Sequence, residues 1–224
     1  MELWFSEFHA PDVKHSIRVN THLFSQKSDY QQIDIFDTPA FGRVLTLDGN
    51  VILTERDEFI YDEMITHVPM SVHPGIQDIL VIGAGDGGVV RELARYDTVE
   101  RIDLVEMDPQ VLEACRKYLP ENASRLDDSR VHIYFDNALR FIRRCKDQYD
   151  LIIVDSTDPF GPSEGYFTRE FYGSCYNALH DDGIMVNQQG SPFFEHDAQA
   201  MQRSHQRIAN IFPICRVYQA HIPT

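Results

Sequence analysis

The 224-residue sequence has few cysteines and no closely spaced pair of them. Cys115, Cys145, Cys175 and Cys215 lie at least 30 residues apart. Because structural zinc sites use CxxC-like spacing, no zinc or other metal site is expected. The pattern is typical of reduced thiols, which predicts a cytoplasmic protein.

Basic residues are scarce. Lysine and arginine number 20 against 35 aspartates and glutamates, for a net charge of −15. Binding to the phosphate backbone of nucleic acids needs basic patches, so nucleic acid is excluded as a partner. The charge favours a cationic partner, although acidic surfaces also serve solubility.

Long apolar runs are missing as well. No stretch approaches the ~20 residues that a membrane span requires. The start, MELWFSEFHAPD, carries acids and no basic region followed by an apolar stretch, so it is not predicted to be a secretory signal. The length allows one sizeable core with a small appended module.

Residues 1–56 differ in texture from the rest of the chain. They contain short alternating segments such as 31-QQIDIF-36 and 43-RVLTLDG-49. Asp48-Gly49 stands between 44-VLTL-47 and 51-VILT-54, which is a hairpin signature. We therefore predict an N-terminal antiparallel β domain over 1–56, followed by a catalytic domain over 57–224.

A helix is predicted from Asp57 to about His67, with Pro69 near its end. After Gly75, strands alternate with helices. Strands are predicted at 78–83, 101–107, 131–135, 149–155, 184–188 and 214–220, and helices at 88–96, 109–119, 137–145, 168–179 and 197–212. This alternation predicts an α/β fold with a doubly wound, mostly parallel Rossmann-like sheet, whose ligands bind beyond the carboxyl ends of the strands.

The loop 83-GAGDGG-88 follows the first of these strands, and Glu106 ends the next. The glycines fit a dinucleotide pattern (Gly83, Gly85, Gly88) and equally a sulfonium-nucleoside pattern (Gly83, Gly85, Gly87). Asp86 favours the second, because a carboxylate would repel a diphosphate but attract a cationic group. Glu106 is suited to accept from two ribose hydroxyls.

Other acids also lie at strand ends. Asp155 stands at the tip of 151-LIIVD-155, and Asp158 follows in a turn with Pro159. Asp108 is assigned mainly to helix capping, while Asp136 is either a helix cap or a ligand contact. In the helix from Asp57, Asp57 and Glu58 are expected on a solvated face, and Tyr61 and Asp62 are candidate site residues.

Together these residues resemble the polyamine aminopropyltransferases, the spermidine synthase family. The resemblance is carried, in family order, by 41-FGRVLTLDG-49, 56-RDEFIYDEMITHVP-69, 80-LVIGAGDGGVVRE-92, 104-LVEMDP-109, 150-DLIIVDSTDPFGP-162 and 221-HIPT-224. It implies transfer of an aminopropyl group from decarboxylated S-adenosylmethionine to putrescine or a similar diamine. It implies no prosthetic group, and a homodimer or homotetramer.

The resemblance also implies roles for individual residues. Gln31 and Glu106 would contact the nucleoside, Asn137 and Ala138 would face the adenine, and Pro162 would pack near it. Asp86 would hold the amine of the aminopropyl arm, and the loop glycines Gly83, Gly85 and Gly87 would lie against the nucleoside. Asp155 would be the general base, with Asp158, Tyr61 and Asp62 in the polyamine groove.

The sequence departs from the family pattern at several points. Ala84 replaces a usual glycine, which is tolerable if φ is negative there. Asn137 replaces a usual acid. Asp62 replaces the histidine common in bacterial relatives, and its extra charge favours a longer or more cationic acceptor than putrescine. Relatives continue beyond Thr224 with a groove tyrosine, a further strand and helices, so we interpret the chain as truncated.

Three alternatives stay open at this point. An S-adenosylmethionine methyltransferase shares the fold class, but it rarely needs two acids to hold a cation. A dehydrogenase is disfavoured by Asp86 and by the missing second mononucleotide-binding half. A non-enzymatic, nucleoside-binding relative is the third.

Overall fold

The computed structural model describes residues 2–10, 12–156 and 165–224. The strands in these ranges are β1 (Leu3–Ala10), β2 (Val13–Val19), β3 (Thr21–Lys27), β4 (Gln32–Thr38), β5 (Gly42–Leu47), β6 (Asn50–Thr54), β7 (Asp78–Gly83), β8 (Arg101–Glu106), β9 (Val131–Phe135), β10 (Tyr149–Asp155) and β11 (Leu179–Asn187). The α-helices are α1 (Glu58–Val72), α2 (Gly88–Leu93), α3 (Pro109–Tyr118), α4 (Ala138–Ile142), α5 (Arg169–Ala178) and α6 (Glu195–Ala209). No helix in the described ranges is long and apolar enough to cross a membrane.

The N-terminal strands form two antiparallel sheets. β1 and β2 make a two-stranded hairpin, and β3 to β6 make a four-stranded sheet in sequence order. The predicted hairpin is confirmed, since β5 pairs antiparallel with β6. Asp48 and Gly49 have φ values of 50° and 80° between these strands, as a tight two-residue turn of the I′ type requires.

The C-terminal strands form one parallel sheet in the order β11-β10-β7-β8-β9. From β7 the chain moves outward in one direction through β8 to β9, and β10 and β11 lie on the other side of β7. The strand order therefore reverses between β7 and β10. This confirms the doubly wound α/β prediction and puts the ligand crevice at the carboxyl ends of these two strands.

The parallel sheet is buried on both faces. In β10 the alternate residues Leu151 and Ile153 pack in one core cluster, and Ile152 and Val154 pack in the other. All four are fully buried, which explains why the strand is an unbroken apolar run rather than an alternating one.

A third core cluster joins the N-terminal sheet to the parallel sheet's helices. Ile33, Ile35 and Leu45 of the antiparallel sheet pack with Val111 and Cys115 of α3. A fully buried side chain of this size contributes about 1.5–3 kcal/mol, so this cluster ties the two sheets together through α3.

Three element predictions are corrected. α1 passes through Pro69 and ends at Val72, with the Pro69 carbonyl accepting from His73 N at 3.1 Å. β11 begins at Leu179, five residues earlier than predicted. Residues 214–220 form no strand, because no strand in the described part of the chain pairs with them. The division of the chain at residues 56 and 57 stays a prediction.

The two central strands approach closely at Gly83. A Cβ there would collide with the carbonyl oxygen of Asp155, and φ is +82°. We expect Gly83→Ala to lower the free energy of unfolding by more than ~2 kcal/mol, because the left-handed backbone alone costs about 1–2 kcal/mol and the collision adds to it. Denaturant unfolding followed by circular dichroism measures the loss.

Gly49→Ala is the matched control. Gly49 has φ of +80°, and a Cβ there meets nothing within 4 Å. It should lose only about 1 kcal/mol. Equal losses in the two variants would contradict the close approach of β7 and β10.

Candidate active site

Asp155 and the glycine loop meet where the strand order reverses. Asp155 at the end of β10 pairs in register with Gly83 at the end of β7. Ala84 N donates to Asp155 O at 3.3 Å, which holds the start of the loop against the strand tip. The two motifs that the sequence predicted to act together are therefore neighbours.

The glycine loop uses left-handed backbone at three positions. Gly83, Ala84 and Gly87 have φ values of 82°, 58° and 95°. The condition of a negative φ, under which Ala84 would be tolerated freely, is therefore not met, and the alanine carries strain that a glycine would not. At Gly85, φ is ordinary but space is short, since a Cβ would lie 2.7 Å from Glu106 Oε2.

Glu106 lies directly beside this loop. Its Oε1 accepts from Asp108 N at 2.8 Å, and Oε2 is the oxygen that faces Gly85. Burial raises the pKa of Glu106 to about 7, against the backbone N–H groups of Asp108 and Met107, which lower it. A carboxylate fixed here is available to hydroxyl donors in the crevice.

Asp108 connects the loop region to the N-terminal sheet. As predicted, it caps α3, with Oδ1 accepting from Gln110 N at 3.0 Å. Its Oδ2 accepts from Ser28 Oγ at 2.6 Å and from Gln31 Nε2 at 3.0 Å. The structure thus brings Gln31 next to the Glu106 side of the crevice, with its amide nitrogen already bonded.

Three aspartates and a tyrosine gather on the other side of the loop. Asp86 is buried, and its Oδ1 accepts from Gly88 N at 2.9 Å. Asp62 is buried against the same glycine, where a Cβ would collide with its Oδ2. The Tyr61 hydroxyl donates to Asp155 Oδ1. Tyr61, Asp62, Asp86 and Asp155, all predicted site residues, are hereafter the acidic cluster.

The acidic cluster holds more negative charge than its surroundings balance. Burial, reinforced by the charge of Asp86, raises the pKa of Asp155 to about 7. Burial also raises the pKa of Asp86, and it raises that of Asp62 well above its usual range, with Asp86 adding to the effect. The Tyr61 pKa is raised by burial and then by Asp155. Such a site favours a cation, which would restore the charged carboxylates.

Arg91 on α2 is a charged neighbour of the acidic cluster that sequence reasoning missed. Its Nη2 lies 3.6 Å from Asp62 Oδ2, an oxygen without a hydrogen-bond partner. In the described ranges no other lysine or arginine forms an ion pair with Asp62, Asp86 or Asp155. The sequence feature that could have pointed to Arg91 is its position shortly after Asp86, in the first turn of α2.

The expectation of a solvated face for Asp57 and Glu58 is wrong. Asp57 is buried, and its Oδ1 accepts from Thr54 Oγ1 at 2.5 Å and from Thr224 Oγ1 at 3.0 Å. Glu58 accepts from both terminal nitrogens of Arg91, at 3.0 and 2.9 Å. The helical spacing that predicted a solvated face could not register partners so distant in sequence.

The predicted adenine contacts lie at the end of β9. Asn137 caps α4, its Oδ1 accepting from Arg140 N at 3.2 Å, and Ala138 is buried behind it. Asp136 forms ion pairs with Arg140 and Arg144, the latter at 2.7 Å. Asp136 is therefore engaged by surface arginines, whereas Asn137 keeps its amide nitrogen and the second lone pair of Oδ1 for a ligand.

Two further features near the carboxyl ends of the parallel strands were not predicted. Tyr166 is buried beside Ala138 and Glu106, where burial raises its pKa to about 12. Gln188 N donates to Val154 O at 3.0 Å, and its side-chain Oε1 is buried without a hydrogen-bond partner. The remaining predicted site residues, Asp158 and Pro162, lie outside the described residues.

Comparison with known proteins identifies this arrangement. The family model "Spermine/spermidine synthase domain" matches residues 58–224, and the model "Spermidine synthase tetramerisation domain" matches residues 3–55. Polyamine aminopropyltransferases from Lachnospira eligens and Alkaliphilus oremlandii are 60% and 58% identical over 224 residues, which are all of this chain and 79% of each relative.

Solved structures of spermidine synthases are also similar to this chain. Spermidine synthase from Thermotoga maritima is 42% identical with a TM-score of 0.93, covering 98% of this chain and 74% of that one. A spermidine synthase in complex with the transition state analogue AdoDATO is 42% identical with a TM-score of 0.92, covering 95% and 72%. Together with the glycine loop and the strand-tip carboxylates, these matches show that the chain belongs to the spermidine synthase family of polyamine aminopropyltransferases.

Proposed function

We propose that this chain transfers the aminopropyl group of decarboxylated S-adenosylmethionine to a polyamine acceptor, releasing methylthioadenosine. The observation that carries the proposal is the buried acidic cluster beside the glycine loop, whose carboxylates lack an adequate cation. The family supports it, as does the analogue AdoDATO bound by a similar spermidine synthase.

The nucleoside side of the site is assigned to the glycine loop and its neighbours. Gly83, Gly85 and Gly87 would let the backbone approach the nucleoside, and Glu106 would accept from the two ribose hydroxyls. Gln31 would support the same contact through Asp108. Asn137, Ala138 and Pro162 would border the adenine.

The amine side is assigned to the acidic cluster and Asp158. Asp86 would hold the ammonium of the aminopropyl arm. Tyr61, Asp62 and Asp158 would hold the acceptor, whose protonated nitrogens match the unbalanced carboxylates.

Asp155 is the proposed general base. A primary amine has a pKa of about 10.4 and is protonated at neutral pH, so it must lose a proton to become a nucleophile. Asp155 would take this proton, and the neutral acceptor nitrogen would attack the aminopropyl carbon, forming a C–N bond as the C–S bond breaks and methylthioadenosine leaves. A carboxylate with a pKa of about 7 is well matched to this transfer, and the Tyr61 hydroxyl holds it in place.

Two further assignments belong to this proposal. We place the reaction in the cytoplasm, because the described cysteines are free thiols. We also expect a homodimer or homotetramer, which the match of residues 3–55 to a tetramerisation domain supports.

The proposed function is tested by incubating the protein with decarboxylated S-adenosylmethionine and an amine panel. Methylthioadenosine and the aminopropylated amine should form in equal amounts. S-adenosylmethionine should not replace the donor, because its carboxylate would lie near Asp86. Methyl transfer from S-adenosylmethionine, with no methylthioadenosine from the decarboxylated donor, would contradict the proposal.

Asp155→Asn should lower kcat by about 10²–10⁴-fold, because the amide cannot accept the proton. Binding of methylthioadenosine, measured by calorimetry, should survive. Asp78→Asn is the control, since Asp78 lies at the opposite end of β7 in an ion pair with Arg101. Comparable turnover in Asp155→Asn and the parent would remove Asp155 from the mechanism.

The ligand-free protein should lose stability between pH 5 and pH 8. The folded pKa values of Asp62, Asp86, Asp155 and Glu106 are raised, so their contribution is present below about pH 4 and is lost as pH rises through the folded pKa values. Asp62→Asn should therefore stabilise the protein more at pH 8 than at pH 5, as urea unfolding measures. A pH-independent difference would show that folding does not raise the pKa of Asp62.

Asp62 should also set the choice of acceptor. With its extra carboxylate, the parent should use spermidine or agmatine at least as well as putrescine. Asp62→His should shift kcat/KM toward putrescine, while Glu63→His, one residue along on the exposed side of α1, should leave the ratio unchanged. A strict preference of the parent for putrescine would contradict this role.

A further inference from the structure

The tip of the β1–β2 hairpin brings two imidazoles and a carboxylate together. Glu7 on β1 pairs directly with His15 on β2. His9 lies two residues after Glu7, at an irregularity in the strand register between Phe8 and Ala10, and its side chain meets those of Glu7 and His15. Each of the three offers one ligand atom, and these atoms lie within 4.8 Å of one another.

We propose that Glu7, His9 and His15 form a binding site for a divalent transition metal of the zinc type. Donor atoms around a zinc ion at about 2.0–2.2 Å stand about 3.4 Å apart in tetrahedral geometry. Closing from a spacing of 4.8 Å or less needs an approach of at most about 1.4 Å, which small rotations of the side chains would supply. The His9 side chain is 40% exposed, so it is not enclosed in the core.

The existing contacts leave ligand atoms available. Glu7 Oε1 accepts from Val51 N at 3.1 Å, which fixes the carboxylate and leaves Oε2 to face His9 Nε2 at 3.7 Å. That distance is too long for a hydrogen bond. The His9 ring stacks between His15 and Phe194, with centroid distances of 6.2 and 6.4 Å. Contacts of this kind orient the side chains that bind the ion in metal sites.

The charge around the hairpin tip also favours a cation. In the described ranges no lysine or arginine forms an ion pair with Glu7. Lys14 pairs with Phe8 in the strand register and therefore lies on the opposite face. The carboxylate is thus without a permanent positive partner.

A second group of similar composition, Glu63, His67 and Glu92, is a weaker candidate. Glu92 already accepts from Arg91 and Arg95 at 3.0 and 2.5 Å. His67 Nδ1 is bonded to the Tyr96 hydroxyl at 2.8 Å. A metal ion there would have to displace two arginine ion pairs, whereas at the hairpin tip it displaces none.

Two imidazoles and one carboxylate suit zinc, nickel or copper and leave one coordination position open. Metal binding would cross-link β1 and β2 near the tip of the hairpin. Because Glu7 is bonded to β6 and His9 stacks on Phe194 before α6, the same ion would also fix the hairpin to both neighbours.

The test is a titration of the full chain, dialysed against a chelator, with zinc chloride. Calorimetry should show one zinc ion per chain, and cobalt should give the visible absorption of a low-coordinate N/O site. Zinc should raise the melting temperature of the parent.

Variants decide the location. His9→Ala and His15→Ala should each weaken zinc binding at least tenfold. Loss of a residue that only supports a metal ligand already weakens binding about tenfold, so loss of a ligand should cost no less. His22→Ala is the matched control, since His22 is also 40% exposed on a strand of this region but pairs with Asp34. Far-ultraviolet circular dichroism checks that each variant is folded.

Three results would overturn the site. These are the absence of stoichiometric zinc binding at micromolar concentration, equal affinity in the parent and both hairpin variants, and loss of binding in His67→Gln with both hairpin variants unaffected. None of these measurements depends on aminopropyl transfer, so the site and the proposed activity stand or fall separately.

Discussion

The burial of carboxylates without a matching cation is the constraint on which the site depends. Asp62, Asp86 and Asp155 are taken out of water at the carboxyl ends of β7 and β10, and each has a raised pKa. A buried charge without a partner costs several kcal/mol, so proteins rarely retain such a cluster for stability alone. An ammonium-bearing ligand would remove this cost on binding, so the cluster would favour positively charged substrates.

The fold imposes this proximity through a close contact of two backbones. Gly83 and Asp155 pair in register, and the absence of a side chain at Gly83 lets β7 and β10 remain neighbours to their last residues. The loop then turns through left-handed backbone and places Asp86 beside Gly88 at the start of α2. Arg91, one turn later, contributes positive charge toward Asp62 while its guanidinium is mostly taken by Glu58 and Glu92.

Much of this could be predicted from sequence, because the relevant signals are local. The apolar run ending in Asp155, the glycine spacing and the Asp48-Gly49 turn each specify a backbone shape within a few residues. Long-range contacts could not be predicted in this way. The partners of Asp57, Arg91 and Asp108 lie 33 or more residues away for the decisive bonds, and the left-handed φ at Ala84 is set by the strand pairing around it. Residues 214–220 have a strand-like composition, but a strand also needs a neighbour to pair with.

Asp108 has a consequence for how this chain can change over evolution. Its carboxylate caps α3 and accepts from Ser28 and Gln31 of the N-terminal region, and its backbone N–H donates to Glu106. Substitutions at Ser28 or Gln31 would therefore disturb Asp108 and, through it, Glu106 in the crevice. A foreign N-terminal region without matching donors would leave Oδ2 of this buried acid without its two hydrogen bonds. The two parts of the fold therefore depend on each other through Asp108.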